Sequence, residues 1–553
     1  MKLFKSIIYL TSLLVVLGSC SKDLNVDTPD QFSDDNFWTS ENNVRSYNWG
    51  FYDLFTGFGT GTTADFYFST PSSPFSDDQA AATFQNYALN VPTTSADWNW
   101  TYIRKANIML ERIDKVPMSD EAKNHWRGIA RFFRAMDYFT KVKAFGDVPF
   151  INSSLDVSQT DVIYKPRDPR ALVMDSVLAD INFAVANIRT TDQVNTVNKD
   201  VALALKARIC LFEGSYRIYH TELGLPDADK FLLEGKDACD KLIASKYTLG
   251  DYKALYNSLD LAGNKEVLLY KKYLSGVLTH SVIGYTNSTT PMNGLTKSAI
   301  EAYAAVDGLP IKQSPLYKGD NTIKDLRANR DNRLLVTIDT VLMYNGTLVT
   351  GNSSSTGYRP TKFLNPAAVQ LAPNNDTDAP IFWFAEVLLN YAETSALLEK
   401  LGKYTVTQAD LDKSVNLLRT RAKIAPLMLT GLGTVSASGI VINDPVKPAD
   451  VSSLMWEIRR ERRVELMMDG FRYQDLMRWK EGDKLDKAKN PDAFLGAKVA
   501  DNKKVLRNAD GYIMPYAAAI SRTFVDPKNY LMAIPSNQFA LYPNGTLKQN
   551  PGW

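Results

Sequence analysis

Cysteine and histidine are scarce in this chain of 553 residues, which holds three of each. Cys20, Cys210 and Cys239 are too few for a disulfide framework and too far apart for a zinc knuckle or a C-x-x-C redox pair, so thiol chemistry is not expected. His125, His220 and His280 stand apart, with no Cys, His or Glu at ligand spacing around them, which argues against a histidine-based metal site. An excess of one charge is missing too. Lys plus Arg is 63 and Asp plus Glu is 61, a formal net charge of +2, which speaks against a nucleic-acid binder working through a broad basic face. Walker, G-x-S-x-G and H-E-x-x-H strings do not occur. Gly57-Phe58-Gly59-Thr60-Gly61 lacks the preceding parallel strand and the acidic residue of a dinucleotide-binding unit, and reads as a flexible loop. No metal and no cofactor is called for.

With 45% hydrophobic and 22% charged residues, the chain can bury a large core. Its 27 Tyr, 25 Phe and 9 Trp raise the expectation of a surface that stacks on ligands.

The N-terminus reads as an address. Lys2 and Lys5 precede an apolar run from Ile7 to Leu17, too short to span a bilayer, which takes about 20 apolar residues. Leu17-Gly18-Ser19-Cys20 then resembles a bacterial lipobox, in which the cysteine becomes the acylated first residue of the mature protein. Several acyl chains on Cys20 suffice for stable attachment to a membrane. Ser21-Lys22-Asp23 resembles the surface-export signal of Bacteroidetes lipoproteins. The expected layout is a signal peptide over 1–19, a lipidated, flexible tether over 20–35 and a single domain over 36–553.

Apolar residues recur at helical spacing along Trp100 to Lys115, Glu121 to Phe145, Arg170 to Ile188, Lys199 to Tyr219, Phe231 to Ser245, Phe384 to Lys400, Ala409 to Ala422 and Ser453 to Lys480. Small residues such as Ala130, Ala135, Ala202, Ala204, Ala207, Ala392 and Ala396 allow close helix neighbours. The expected fold is mainly α: tetratricopeptide-like helix hairpins, without a strict 34-residue period, carrying long loop-rich insertions and a few short strands. The irregular regions fall near 57–94, 275–378 and 427–447, with Leu334 to Ile338 reading as a strand fragment. Long irregular segments on a rigid frame are where function concentrates.

Specific blocks then appear in order. Arg131-Phe132-Phe133-Arg134-Ala135-Met136-Asp137-Tyr138-Phe139 is followed by Phe145-Gly146-Asp147-Val148-Pro149. Phe37-Trp38, Trp98 with Tyr102 and Asn107, Ala385-Glu386 through Ala392-Glu393, Asn416 with Arg419 and Arg421, Glu461 through Leu466, Asp469 through Trp479, Ile534-Pro535 and the terminal Gln549-Asn550-Pro551-Gly552-Trp553 complete the set. Together they resemble the SusD/RagB family of outer-membrane lipoproteins over the whole chain. Trp383 stands where the family generally has arginine, and Trp553 where tyrosine is commoner. The resemblance implies a SusD-like fold and a non-enzymatic lipoprotein that faces the cell exterior from the outer membrane. It would capture glycan and deliver it to a SusC-like TonB-dependent transporter. A peptide-capturing member of the family and a glycoside-acting enzyme are the alternatives.

Shared family motifs do not fix the ligand site, so candidates come from residue type. Trp98 and Trp100 offer indole faces that match the C–H faces of sugars, one expected to pack and the other to be exposed; Asp65, Tyr67, Asp77 and Asp78 offer polar partners. Tyr344 with Asn345 and Tyr358 with Arg359 have the same aromatic-plus-polar makeup. Glu461, Glu465 and Asp469, at i, i+4 and i+8, read as one structural helix face held ionised by Arg459, Arg460, Arg462, Arg463, Arg472 and Arg478. Arg131, Arg134, Asp147, Glu386 and Glu393 read as groups that lock helix ends and loops.

The anchor is directly testable. Cys20→Ala should abolish incorporation of labelled fatty acid and move the protein from the membrane to the soluble fraction in cells lacking the partner transporter; retention in the membrane fraction would refute the assignment.

Overall fold

The computed structural model describes residues 34–62, 75–283, 293–342, 354–369, 373–431, 433–500, 505–542 and 545–553. Cys20 and the tether up to residue 33 lie outside them. Ser119, Asn198 and Ser452 each accept a hydrogen bond from the backbone N–H three residues on, satisfying one of the donors a helix start leaves open. The longer helices are α1 (Glu41–Trp49), α2 (Thr101–Arg112), α3 (Asp120–Phe145), α4 (Arg170–Asn187), α5 (Lys199–Tyr219), α6 (Ala228–Ile243) and α7 (Phe384–Lys400). After them come α8 (Gln408–Asp412), α9 (Val415–Arg421), α10 (Ser453–Glu465) and α11 (Arg472–Arg478). Among the described residues, no helix is long and apolar enough to cross a membrane.

Neighbours in sequence pack as neighbours in space, α2 on α3, α3 on α4, α4 on α5, α5 on α6 and α6 on α7, and α7 also packs on the more distant α10. The apolar stripe of α3, from Ile129 to Val142, is buried. Phe133 stacks on Phe51 at 5.0 Å, and Phe55 closes against both Phe133 and Phe382. Helix α3 stops at Gly146, whose N–H still returns to the Val142 carbonyl while its positive φ of 72° turns the following chain out of the helix. Helices α5 and α6 approach through two glycines. A Cβ on Gly214 would lie 2.6 Å from Leu232, and one on Gly235 would lie 2.9 Å from the Cys210 Cβ. Cys210 and Cys239 are buried free thiols, both held protonated by loss of water.

Strands are short. β1 (Gln79–Ala80) pairs with β3 (Gly294–Leu295), β2 (Val267–Lys271) with β4 (Ala379–Trp383), and β5 (Leu427–Thr430) with β6 (Gly433–Ser436), all antiparallel. Trp383 is buried at the end of β4, edge-on to Tyr256 and Phe471. The region 275–378 departs from its expected makeup of loops and strands, because it carries helices Lys297–Ala302, Ile323–Arg327 and Asn332–Thr337. Leu334 to Ile338 is therefore the end of a helix capped by the Asp331 side chain.

Two expected helices are broken. Residues 409–422 divide into α8 and α9, with Thr407 and Asp410 forming a capping box. The stretch 453–480 divides at Leu466–Phe471, where Met468 and Gly470 take left-handed φ values of 68° and 81°. Buried Lys362 occupies that break, donating to the Met467 carbonyl at 2.8 Å and to Asp469 at 2.7 Å. Asp469 therefore lies beyond the helix instead of continuing its carboxylate face, and burial pushes its pKa up to about 6 in spite of Lys362.

The carboxylates of α10 find partners other than the expected arginines. Glu461 and Glu465 both pair with Arg333, at 2.6 and 2.8 Å; Arg419 adds a contact to Glu461 and Arg421 one to Glu465. Arg421 also reaches Glu266 at 2.9 Å, and Arg333 reaches Asp331 at 2.6 Å. Meanwhile Arg459 pairs with Glu481, Arg460 with Glu457 and Asp444, Arg462 with Asp475, and Arg478 with Glu393. Burial raises Glu461, whereas Arg421 and Arg333 overcome the same burial at Glu465 and hold it below the ordinary carboxylate range. The locking role of the earlier blocks is visible as well: Arg134 grips Asp180 with two hydrogen bonds, Asp147 accepts the Arg170 N–H that opens α4, and Glu386 holds Arg208.

Glu465→Ala should cost about 3 to 5 kcal/mol, because it leaves buried guanidinium donors without their anion. Chemical denaturation of the purified variant measures this, and an unchanged midpoint would show the network to be dispensable.

Candidate functional site

Six separate segments wall a cavity of about 510 Å³: Phe75, residues 85–92, the last turn of α3, helix α11, residues 529–533 and Trp553. That volume falls in the about 300–1,000 Å³ of small-molecule pockets. Its aromatic side is held by ring contacts. Phe75 meets Tyr87 edge-on at 4.8 Å and Tyr473 at 5.9 Å, Tyr87 meets Phe524 at 5.5 Å, and Phe524 meets Tyr530 at 4.8 Å. Arg522 lies over Phe75 at 4.2 Å and donates to the Gln85 carbonyl, which ties the 85–92 segment to the cluster.

The opposite side is fixed by backbone and amide bonds. Met532 N–H donates to the Ala144 carbonyl at 2.7 Å, and the Asn550 amide bridges the carbonyls of Phe145 and Met532. Trp553 donates its indole N–H to the carbonyls of Lys528 and Leu531 at 3.1 and 3.0 Å, and the Lys528 ammonium covers one region of the ring at 4.2 Å. Tyr87, Tyr473 and Trp553 remain partly exposed, and the amides of Gln85, Asn86 and Gln474 line the same space. Burial pushes the Tyr473 phenol up to about 12 and raises Tyr87 well above the ordinary phenol value, so both stay neutral hydrogen-bonding groups. Apolar ring faces beside amides and neutral hydroxyls suit an uncharged polyol, whose C–H faces stack while its hydroxyls exchange hydrogen bonds.

A second cavity of about 520 Å³ is lined by charge, including Asp77, Arg459, Arg460, Arg463, Arg472 and Lys484. These charges answer one another. Arg472 forks onto Asp77 at 2.7 and 2.8 Å, Arg463 holds Asp78 at 2.7 Å, and Glu481 lies between Arg459 and Lys484. It is built as an ion-pair mesh, in which Arg459 keeps two buried guanidinium nitrogens without a hydrogen-bond partner among the described residues.

The candidates taken from residue type separate accordingly. Asp77 and Asp78 are buried salt-bridge partners; burial alone would raise Asp77, but Arg463 and Arg472 outweigh it and hold the carboxylate well below its usual range. Trp98 is 7% exposed and packs edge-on against Phe145 at 4.9 Å, so its faces are occupied by core. Trp100, next to it at 5.5 Å, is half-buried with the Lys141 ammonium over its ring, and lines neither cavity. Tyr358 and Arg359 are buried, Arg359 against Asp339, and do not form the exposed pair expected of them. Asp65, Tyr67, Tyr344 and Asn345 lie outside the described residues. Tyr87, Tyr473 and Trp553 were not singled out as ligand contacts, although Gln85-Asn86-Tyr87 and Tyr473-Gln474 carry the same aromatic-plus-amide signal as Trp98-Asn99-Trp100.

Comparison with known proteins places this architecture. The profile of the SusD family matches residues 265–553, and a second profile, described as starch-binding associating with outer membrane, matches residues 24–211. SusD-like protein P38 of Formosa agariphila is 24% identical over 512 residues, covering 86% of this chain and 92% of that protein. The crystal structure of a SusD-like carbohydrate binding protein from Bacteroides fragilis superposes with a TM-score of 0.68 at 21% identity, over 92% of this chain and 99% of the other. A laminarin binding SusD-like protein superposes with a TM-score of 0.56 at 16% identity, over 93% of this chain and all of the other. On the strength of the profile match across its C-terminal half, the chain belongs to the SusD family.

Proposed function

We propose that the protein is a non-enzymatic glycan-capture lipoprotein, tethered through Cys20 to the outer face of the outer membrane, which hands oligo- or polysaccharide to a SusC-like TonB-dependent transporter. The observation that carries the reading is the aromatic cavity, where Tyr87, Tyr473 and Trp553 present rings beside the amides of Gln85, Asn86 and Gln474. Family membership and two structural relatives named for binding carbohydrate or laminarin support the same ligand class. Among the described residues lining the cavity there is no Asp or Glu side chain, so the acid and base of an ordinary glycosidase have no counterpart there. The lipobox sequence supplies the tether, and the transporter follows from the SusD family role.

Affinity electrophoresis and calorimetry against a polysaccharide panel and a pool of tryptic peptides test this. Glycan should bind and be recovered at its original length; binding of peptides alone would refute the reading, and shortened oligosaccharides would make the protein a hydrolase. Trp553→Ala should weaken glycan binding about tenfold, equivalent to about 1.4 kcal/mol, with the melting temperature almost unmoved. Trp98→Ala should do the reverse, costing about 3 to 5 kcal/mol of stability while the folded fraction keeps its affinity.

A further inference from the structure

Among the described residues lining the aromatic cavity, one side chain is basic: Lys143, in the last turn of α3. The same lysine lines a smaller cavity of about 50 Å³ between α3, α5 and α11. The other cations there are matched by anions: Arg208 with Glu386 at 2.6 Å, Arg462 with Asp475 at 2.8 Å, and Arg478 with Glu393 at 2.5 Å. Among the described residues, Lys143 has no such partner. Its ammonium lies 4.7 Å from the centre of the Phe139 ring and 6.0 Å from that of Phe212, so ring faces and the carbonyl end of α3 are what stabilise its charge. Loss of water, with the like charge of Arg208, brings its pKa down to about 7. A structural lysine at a helix end normally extends into solvent, where water compensates it. This one is partly buried on the wall of a roomy cavity whose other described polar side chains are neutral phenols, amides and the Trp553 indole.

We infer that the cavity takes a glycan bearing an anionic substituent, a carboxylate or a sulfate ester, and that Lys143 is the residue that recognises the charge. The inference rests on the glycan reading above and narrows it to acidic sugars. Rings and amides would hold the sugar, while the ammonium gains the counter-ion that its surroundings lack. In a site partly shielded from water such a pair is stronger than the same pair at an open surface.

Three probes separate the possibilities: oligogalacturonides for the carboxylate, carrageenan oligosaccharides for the sulfate ester, and neutral galacto-oligosaccharides. The mature protein should bind one of the acidic probes at least tenfold more tightly than the neutral one, and the arm that binds identifies the anion. Lys143→Met should abolish that preference and Lys143→Arg should keep it. A Lys143→Met protein that still prefers the acidic probe, or a wild type with equal affinity for acidic and neutral probes, overturns the inference and leaves glycan capture standing. Failure of all three probes to bind overturns it as well, and counts against the glycan reading only if the wider polysaccharide panel is also silent. A second measurement needs no variant. Acetylation of Lys143 in the wild type, followed by mass spectrometry, should slow several-fold in the presence of galacturonate or galactose 6-sulfate and not with galactose; equal rates refute the assignment.

Discussion

A carboxylate taken out of water is tolerable only where cations and hydrogen-bond donors replace the solvent it has lost. Around Glu465 that requirement organises a large part of the molecule. Arg333, from the loop-rich insert, meets both Glu461 and Glu465 of α10; Arg421, from the end of α9, bridges Glu465 to Glu266, next to β2. Four elements far apart in sequence are thus fixed to one point, with little freedom to slide, because displacement of any one would leave a buried charge unmatched. The network is better understood as a source of registry than of raw stability, since apolar side chains of equal volume could fill the same space.

The same logic sets the geometry on the ligand side. Arg463 and Arg472, from either side of the α10 to α11 break, hold Asp78 and Asp77, and so draw the start of the 75–92 segment against the helical frame. Phe75 follows directly, and on it rest Tyr87, Tyr473 and Arg522. A chain of contacts therefore runs from the buried charges of α10 to the rings of the aromatic cavity. The irregular segment gains definition from ion pairs at its base while its amides remain available at the surface.

Much of the frame was legible because helix periodicity is local. Lys199–Tyr219 and Phe384–Lys400 match their apolar patterns residue for residue, and Gly146 stops α3 where its sequence context says it should. The break after Glu465 was not legible, since the stretch keeps its charge pattern through Asp469 and the group filling the gap, Lys362, lies about a hundred residues upstream. The partners of Glu461 escaped for a geometric reason: Arg460, Arg462 and Arg463 are its neighbours in sequence, and side chains one or two positions apart on a helix point to different faces. Trp98 and Trp100 drew attention as a local cluster, yet a local cluster of large apolar rings satisfies the core as readily as a ligand. The aromatic cavity has only fragments of a local signature, in Gln85-Asn86-Tyr87 and Tyr473-Gln474, because no two of its walls adjoin in the chain.

That separation of the walls has a consequence for folding. Helix pairs such as α5 and α6 close over short loops and form quickly, whereas the cavity needs residues 85–92 to meet residues 473–477, 529–533 and Trp553, which are contacts of very long range. A chain that has assembled its helical frame but not yet docked these segments has no cavity. A molecule held there touches the early and late parts of the chain together, and so binds the finished fold in preference to any partly folded form. Occupancy then adds stability by mass action, about 2.7 kcal/mol when ligand stands a hundredfold above its Kd. The cargo would serve as a reversible cross-link between segments that the backbone joins only through several hundred residues.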